Sequence, residues 1–226
     1  MNILITGANG NMGSAMVEKY LSEGHHVIGT MLSGKHVERF EAQEAFTRLE
    51  VNLMEEGPLA EALEKLGKNI HVGIFTVGGF AMGNISNTSL SSLEKMIRLN
   101  LYTAFNSAKA VFNHMKGHGE GGRIVLVSSK PGLDPGQGAA TLPYTLAKST
   151  IPALAEILNV EGKKEGIVAT VIAPGIIDTP PNREAMPDAN FGDWVTPEQI
   201  ADIVFFATAQ SGAPLREPVL KIFGNS

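Results

Sequence analysis

Cysteine is absent from the 226 residues. That removes a disulfide scaffold, a thiolate nucleophile and any cysteine-ligated zinc or iron–sulfur centre in one step. A basic excess is missing too: 18 Lys and Arg stand against 23 Asp and Glu, a formal charge of −5, which argues against the phosphate-neutralising surface of a nucleic-acid binder. No apolar run approaches the roughly 20 residues of a membrane span. Met1-Asn2-Ile3-Leu4-Ile5-Thr6-Gly7 enters an apolar strand without the basic start of a signal peptide. The expectation is a soluble, cytoplasmic protein without a nucleic-acid or membrane partner. The six histidines form no His-Glu-x-x-His helix, and although His114 and His118 are four apart, Gly117 is expected to end the helix between them, so no metal site is expected. No Gly-x-Ser-x-Gly elbow surrounds any serine, which disfavours a serine hydrolase. Repeats, low-complexity tracts and blocks of like charge are also lacking.

Glycine is plentiful: 25 residues, about 11% against a usual share of roughly 7%. Short β-branched runs alternate with longer stretches of helical period, the pattern of βαβ units around a buried parallel sheet. Strands are expected at Asn2–Thr6, His26–Thr30, Phe46–Val51, His71–Thr76, Arg123–Ser128, Ile167–Ile172 and Val219–Phe223. Helices are expected at Asn11–Ser22, His36–Glu44, Pro58–Leu66, Leu90–Lys116, Tyr144–Lys163 and Thr196–Ala209. The fold class is therefore α/β, a doubly wound parallel sheet of about seven strands with helices on both faces. The length suits one domain over residues 1–226. Five of the twelve prolines, with the only tryptophan, Trp194, fall between Pro174 and Pro197. Residues 176–196 thus read as a lid or substrate loop rather than a domain.

Thr6-Gly7-Ala8-Asn9-Gly10-Asn11-Met12-Gly13 closes the first strand and opens the first helix. Glycines there allow a sharp turn and let a pyrophosphate approach bare N–H groups at a positive helix end. A dinucleotide with a free ribose 2′-hydroxyl usually meets an acid about 20 residues on. Thr30-Met31-Leu32-Ser33-Gly34-Lys35 contains none. A 2′-phosphate is therefore tolerated, with Ser33 or Lys35 to hold it, and NADP(H) is favoured over NAD(H); Lys35 reads equally as a solvated lysine. Gly78 and Gly79 follow the fourth strand, where absent side chains would again admit a cofactor.

Tyr144 and Lys148 stand at i and i+4 on one helix face. A nearby ammonium favours phenolate, so a lowered Tyr144 pKa is expected. The preceding strand ends at Ser128-Ser129, and the following one at Pro174-Gly175.

Taken in order, the glycine turn, Gly78-Gly79, Asn100, Ser129, Tyr144, Lys148 and Pro174-Gly175-Ile176-Ile177-Asp178-Thr179 resemble the short-chain dehydrogenase/reductase family over essentially the whole chain. The resemblance implies a single Rossmann-type NAD(P)-binding catalytic domain acting on a small-molecule carbonyl or alcohol. It makes Tyr144 the general acid/base and Ser129 the holder of the substrate oxygen. Lys148 would bind the nicotinamide ribose and depress the Tyr144 pKa, and Asn100 would support Lys148 and a relaying water. Cofactor contacts are implied at Gly7, Asn9, Gly10, Asn11, Met12 and Gly13, at Ser33 and Lys35, at Asn52 and Leu53, at Gly78 and Gly79, at Tyr144 and Lys148, and at Pro174, Gly175, Ile177 and Thr179.

Departures from the common pattern are the spacing of Gly7, Gly10 and Gly13, Thr76-Val77-Gly78-Gly79 in place of Asn-Ala-Gly, Asn52 in place of an adenine-contacting Asp, and two extra residues between Ser129 and Tyr144, carrying Gly136, Gly138 and Pro143. The Gly78–Asn84 stretch, Lys130 and the Asp178–Trp194 stretch are similar to quinonoid dihydropteridine reductases, which typically lack the serine and asparagine retained here. An alternative is thus a dihydropteridine reductase-like enzyme, and a rival of another class is a non-catalytic NAD(P)-binding redox sensor. Phe191 and Trp194 would either cover an apolar ligand or pack the loop, and Arg183 would either clamp an anionic group or stay solvated. Family members pair through their long helices, so a homodimer or homotetramer is implied, with Ala104, Ala108, Ala153 and Ala155 allowing close approach; the helix containing Met96, Ala104 and Phe112 reads equally as core.

Overall fold

The computed structural model describes residues 1–215 and 219–226. Seven strands, β1 (Asn2–Thr6), β2 (His26–Met31), β3 (Phe46–Glu50), β4 (Val72–Phe75), β5 (Gly122–Val127), β6 (Ile167–Pro174) and β7 (Val219–Ile222), form one sheet. Its order is β3-β2-β1-β4-β5-β6-β7, and every pairing is parallel. Order reverses between β1 and β4, so the carboxyl ends of those two strands open the crevice where α/β sheets hold ligands.

The strands are apolar on both faces because both are covered. Ile3 and Ile5 join a cluster with Met16, Val17 and Tyr20 of α1 (Asn11–Ser22) and Ile200 and Val204 of α10 (Pro197–Thr208). Leu4, one residue out of phase, points the other way. It joins Leu63 of α3 (Pro58–Leu66), Val111 and Met115 of α5 (Thr103–His118) and Ala155 and Leu158 of α8 (Ile151–Gly162). Each fully buried Ile, Leu or Met contributes about 1.5–3 kcal/mol.

Several expected helices are shorter or broken. The stretch expected at His36–Glu44 is helical only in α2 (Glu38–Glu41), where Phe40 alone is buried, too little apolar surface to hold a longer helix. Leu90–Lys116 is not one helix: α4 (Leu90–Ile97) passes into a π-helical turn at Arg98–Tyr102 before α5. Gly117 does not end α5, which runs to His118 and stops at Gly119, φ 71°. Tyr144–Lys163 is split into α7 (Leu142–Ser149) and α8, with Pro152 opening the second. Ala104, Ala108 and Ala155, expected to allow close approach of a second copy, are buried in the chain's own core.

Between β5 and α7 lie α6 (Lys130–Leu133) and a 3-10 turn at Pro135–Gly138. Loop 176–196 carries α9 (Pro180–Ala185) and a 3-10 turn at Phe191–Asp193. None of the helices, among the described residues, is long and apolar enough to cross a membrane.

Candidate active site

The turn after β1 is shaped for close approach. Gly7 has φ 66°, and a methyl at Gly13 would collide with the Gly7 carbonyl. Helix α1 starts from Gly10 with no side-chain cap and no acid in its first turn. Its leading N–H groups therefore keep their partial positive charge for an anion. Thr6 and Thr76 lock β1 to β4 at this edge: the Thr76 hydroxyl donates to Thr6 O at 2.6 Å, and Thr76 N donates to Thr6 Oγ1 at 3.1 Å.

A cavity of about 380 Å³ opens on this turn. Of the residues expected at a cofactor, Gly7, Asn9, Gly10, Asn11, Met12, Gly13, Asn52, Leu53 and Gly78 line it. Val51, Met54, Leu99 and Thr103 also line it and carried no motif, being ordinary apolar or small residues after β3, on the π turn and at the start of α5, while Thr30, Met31, Leu32, Thr76 and Val77 line it from the ends of β2 and β4. Asn52 shapes that wall through its own turn, accepting from Met54 N at 3.1 Å and donating to Glu55 at 2.7 Å. Ser33 and Lys35 do not line it: they are exposed on the turn beyond Leu32, which does.

At the end of β4, Gly79 exchanges two hydrogen bonds with Asn100, its N–H donating to Oδ1 and its carbonyl accepting from Nδ2, both at 3.1 Å. Asn100 Nδ2 also donates to Met96 O at 2.9 Å, and the side chain is fully buried at the centre of the π turn. Gly78 is required here, because a Cβ would lie 2.6 Å from Asn100 Oδ1 and 3.3 Å from Lys148 Nζ. Asn100 thus braces the Gly78–Gly79 backbone beside Lys148, and no direct hydrogen bond joins the two side chains.

Tyr144, Ser129 and Lys148 are brought together. Ser129 caps α6, its Oγ accepting from Gly132 N at 3.1 Å. It also stands near enough to the Tyr144 phenol to favour its ionised form. Ser128 Oγ donates to Lys148 O at 2.9 Å, seating α7 on β5. Lys148 Nζ donates to Val127 O at 2.8 Å and lies 6.0 Å from the Tyr144 ring centre. Burial pushes Lys148 down to about 8. Burial also pushes Tyr144 above its ordinary value, with the neighbouring Ser129 hydroxyl opposing. The expected lowering of Tyr144 by the ammonium is therefore overturned in this arrangement: desolvation of the phenol dominates at this separation. Phe80, exposed on its outer side, meets the Tyr144 ring edge-on at 5.1 Å.

Beyond β6 the expectations divide. Thr179 lines a second cavity of about 520 Å³ together with Asn11 and Ser14 of α1. Pro174, Gly175 and Ile177 line neither cavity. Gly175 is filled from the chain itself, since a Cβ there would lie 2.5 Å from Ser226 Oγ and 2.6 Å from Phe223 O. Arg183 is not a free clamp: it grips Asp178 with two hydrogen bonds, at 2.5 and 2.7 Å, and stacks over Phe191. Trp194 is buried against Phe191, which makes it loop packing.

The chain as a whole has counterparts among known proteins. Residues 1–190 match the family described as short chain dehydrogenase. The chain belongs to the short-chain dehydrogenase/reductase family. It is 30% identical to a dihydropteridine reductase of Dictyostelium discoideum over 227 residues, spanning 97% of this chain and 93% of that one. A crystal structure of a short-chain oxidoreductase from Burkholderia thailandensis superposes with a TM-score of 0.86 at 25% identity, covering 99% of this chain and 91% of that one. ElxO with NADP bound shares the fold, with a TM-score of 0.88 at 22% identity, covering 99% and 97%. This short-chain dehydrogenase/reductase is an NAD(P)-dependent oxidoreductase. Its residues fit the dinucleotide: the Gly7–Gly13 cradle excludes side chains where a pyrophosphate needs backbone, and α1 presents uncapped N–H groups to it.

Proposed function

We propose that this enzyme reduces a carbonyl or a similar acceptor, or oxidises the corresponding alcohol, at the Ser129–Tyr144–Lys148 cluster. When bound, NAD(P)H supplies the hydride. Ser129 holds the substrate oxygen by a hydrogen bond, and Tyr144 gives that oxygen its proton. Lys148 supplies a fixed positive charge beside the phenol and a donor to the cofactor ribose. Asn100 acts through the Gly78–Gly79 backbone to keep Lys148 in place. The observation that carries this reading is the buried Lys148 ammonium, fixed on Val127 O and 6.0 Å from the Tyr144 ring centre, with Ser129 beside the phenol. Loss of near-ultraviolet cofactor absorbance over a panel of carbonyls, quinones and quinonoid pterins tests it, with Tyr144→Phe expected to lower turnover on the order of 10²-fold or more. Undiminished turnover in the variant overturns the mechanism. Tight cofactor binding with no turnover of any acceptor would favour the redox-sensor reading.

Reduction of a quinonoid dihydropterin is the second reading, favoured by the dihydropteridine reductase likeness over nearly the full length of both chains. NADPH is the preferred cofactor, because no acid follows β2 to repel a 2′-phosphate. Dissociation constants for NADPH and NADH decide this, and a tighter NADH would reverse it. The enzyme acts in the cytoplasm as one catalytic domain. It pairs through α5 and α8, where Phe105, Ile157 and Val160 are exposed, giving a homodimer or homotetramer.

A further inference from the structure

The residues after β7 do not trail away from the sheet; they are tied to three separate places around the active site. Ser226 Oγ accepts from Ile176 N at 3.0 Å, at the start of loop 176–196. Asn225 N donates to Asp193 O at 3.0 Å, near the end of the same loop. Gly224, at φ 59°, lies so close that a Cβ would sit 2.7 Å from that Asp193 oxygen. The third tie is Lys130, the residue after Ser129. Its ammonium donates to Ser226 O at 2.6 Å and lies 5.4 Å from the centre of the Phe223 ring.

Without this turn, the two feet of the loop are joined by the short Ile177/Val195 bridge, with Asp178 N donating to Val195 O at 2.8 Å and Val195 N to Ile176 O at 3.1 Å. Val195 also sits in the apolar core with Ile177 packed against it, but the span between those feet has few ties to the rest of the domain, and such segments open at low free energy. We propose that Phe223–Ser226 is a clasp that holds both feet of loop 176–196 against the Ser129 turn, and that Lys130 is the positioning residue that closes it. A charged donor to a partly buried main-chain oxygen, backed by an aromatic face, is the strongest of these ties. Ser129 stands at the N-cap of the turn that Lys130 opens, so tension or slack in the clasp is transmitted to the serine and to the loop together. The kinetic part of the inference rests on the function proposed above, while the structural part does not.

Lys130→Met and Lys130→Arg in the full chain test it by amide hydrogen exchange, dinucleotide affinity and acceptor kinetics. In Lys130→Met, exchange in residues 177–195 should rise tenfold or more and KM for the acceptor at least threefold, with kcat changing less. Exchange in β1 and β4 and the dissociation constant for NADPH should stay as in the wild type. Lys130→Arg, which keeps a cation over Phe223 and a donor to Ser226 O, should restore both values. Ser226→Ala should shift loop exchange in the same direction, and the double variant should be less than additive, as coupled contacts require. Unchanged loop exchange in Lys130→Met overturns the clasp. So does a uniform rise across the sheet with loss of dinucleotide binding, which would mark Lys130 as a general stabiliser. If the wild type turned over no acceptor, loop exchange would still decide the clasp, whereas Tyr144→Phe decides the chemistry.

Discussion

Lys148 is where chemistry and stability pull apart. Its ammonium is buried and held by Val127 O, and burial lowers its pKa to about 8. A lysine depressed in the fold sheds its proton before the unfolded chain does, so the buried charge works against folding at neutral pH and that cost fades as pH rises through about 8. Two outcomes follow. Lys148→Met should lose turnover on the order of 10²-fold or more, yet its Tm at pH 7 should not fall, as measured by calorimetry. NADPH affinity of the wild type should weaken as pH rises through about 8, while Lys148→Arg should bind with a flat profile over the same range. The i, i+4 spacing of Tyr144 and Lys148 was legible in the chain, but the direction of their pKa shifts was not. Spacing reports which side chains are neighbours; burial, which only the surrounding elements create, sets the dielectric.

Among the elements, the π turn at Arg98–Tyr102 does the most to shape the site. The apolar rhythm of Leu90–Lys116 reads as one helix, because an extra residue in one turn barely alters a 3.6-residue pattern. In the folded chain that extra residue brings Asn100 to the sheet edge, where it satisfies Gly79 on both its N–H and its C=O. Asn100→Leu would leave those groups and Met96 O without their partner. Unsatisfied buried groups cost about 1–3 kcal/mol each, so a fall of roughly 3 kcal/mol in unfolding free energy is expected by urea denaturation, with weakened NADPH binding. A loss under about 1 kcal/mol would show that the backbone there finds other partners. Legibility differed among the loops as well. The proline-rich stretch was recognisable as a loop, but its internal fastening, Arg183 on Asp178 and Trp194 on Phe191, depends on a chain path that spacing does not encode.

At the scale of the molecule, the two edges of the sheet carry different charge chemistry. The carboxyl edge holds the glycine cradle and the tyrosine–lysine pair, whereas His25, His26 and His114 belong to the opposite end. Burial lowers all three below the ordinary histidine value, with the positive N-terminus or Lys68 adding to the effect at His25 and His26, Glu23 opposing at His25, and the Lys68 carbonyl opposing at His114. Histidines depressed in the fold are protonated more readily in the unfolded chain. Stability is therefore fully present above about pH 6.5 and is lost as pH falls through the lower folded values. Urea midpoints should drop between about pH 7 and pH 5, and His26→Gln should flatten that slope; an unchanged slope would remove His26 from the account.

What the amino-acid order determined alone is the part written in local pattern. Alternating β-branched strands and helical stretches specify the doubly wound sheet, and Gly7, Gly10 and Gly13 specify the turn, because steric and hydrophobic preferences act over a few residues. The tertiary structure decided what depends on distant partners: that Ala104 and Ala155 face inward, that Ser226 fills the space at Gly175, and that Tyr144 is raised rather than lowered. Packing and desolvation are sums over elements far apart in the chain, and they take values only once those elements have met.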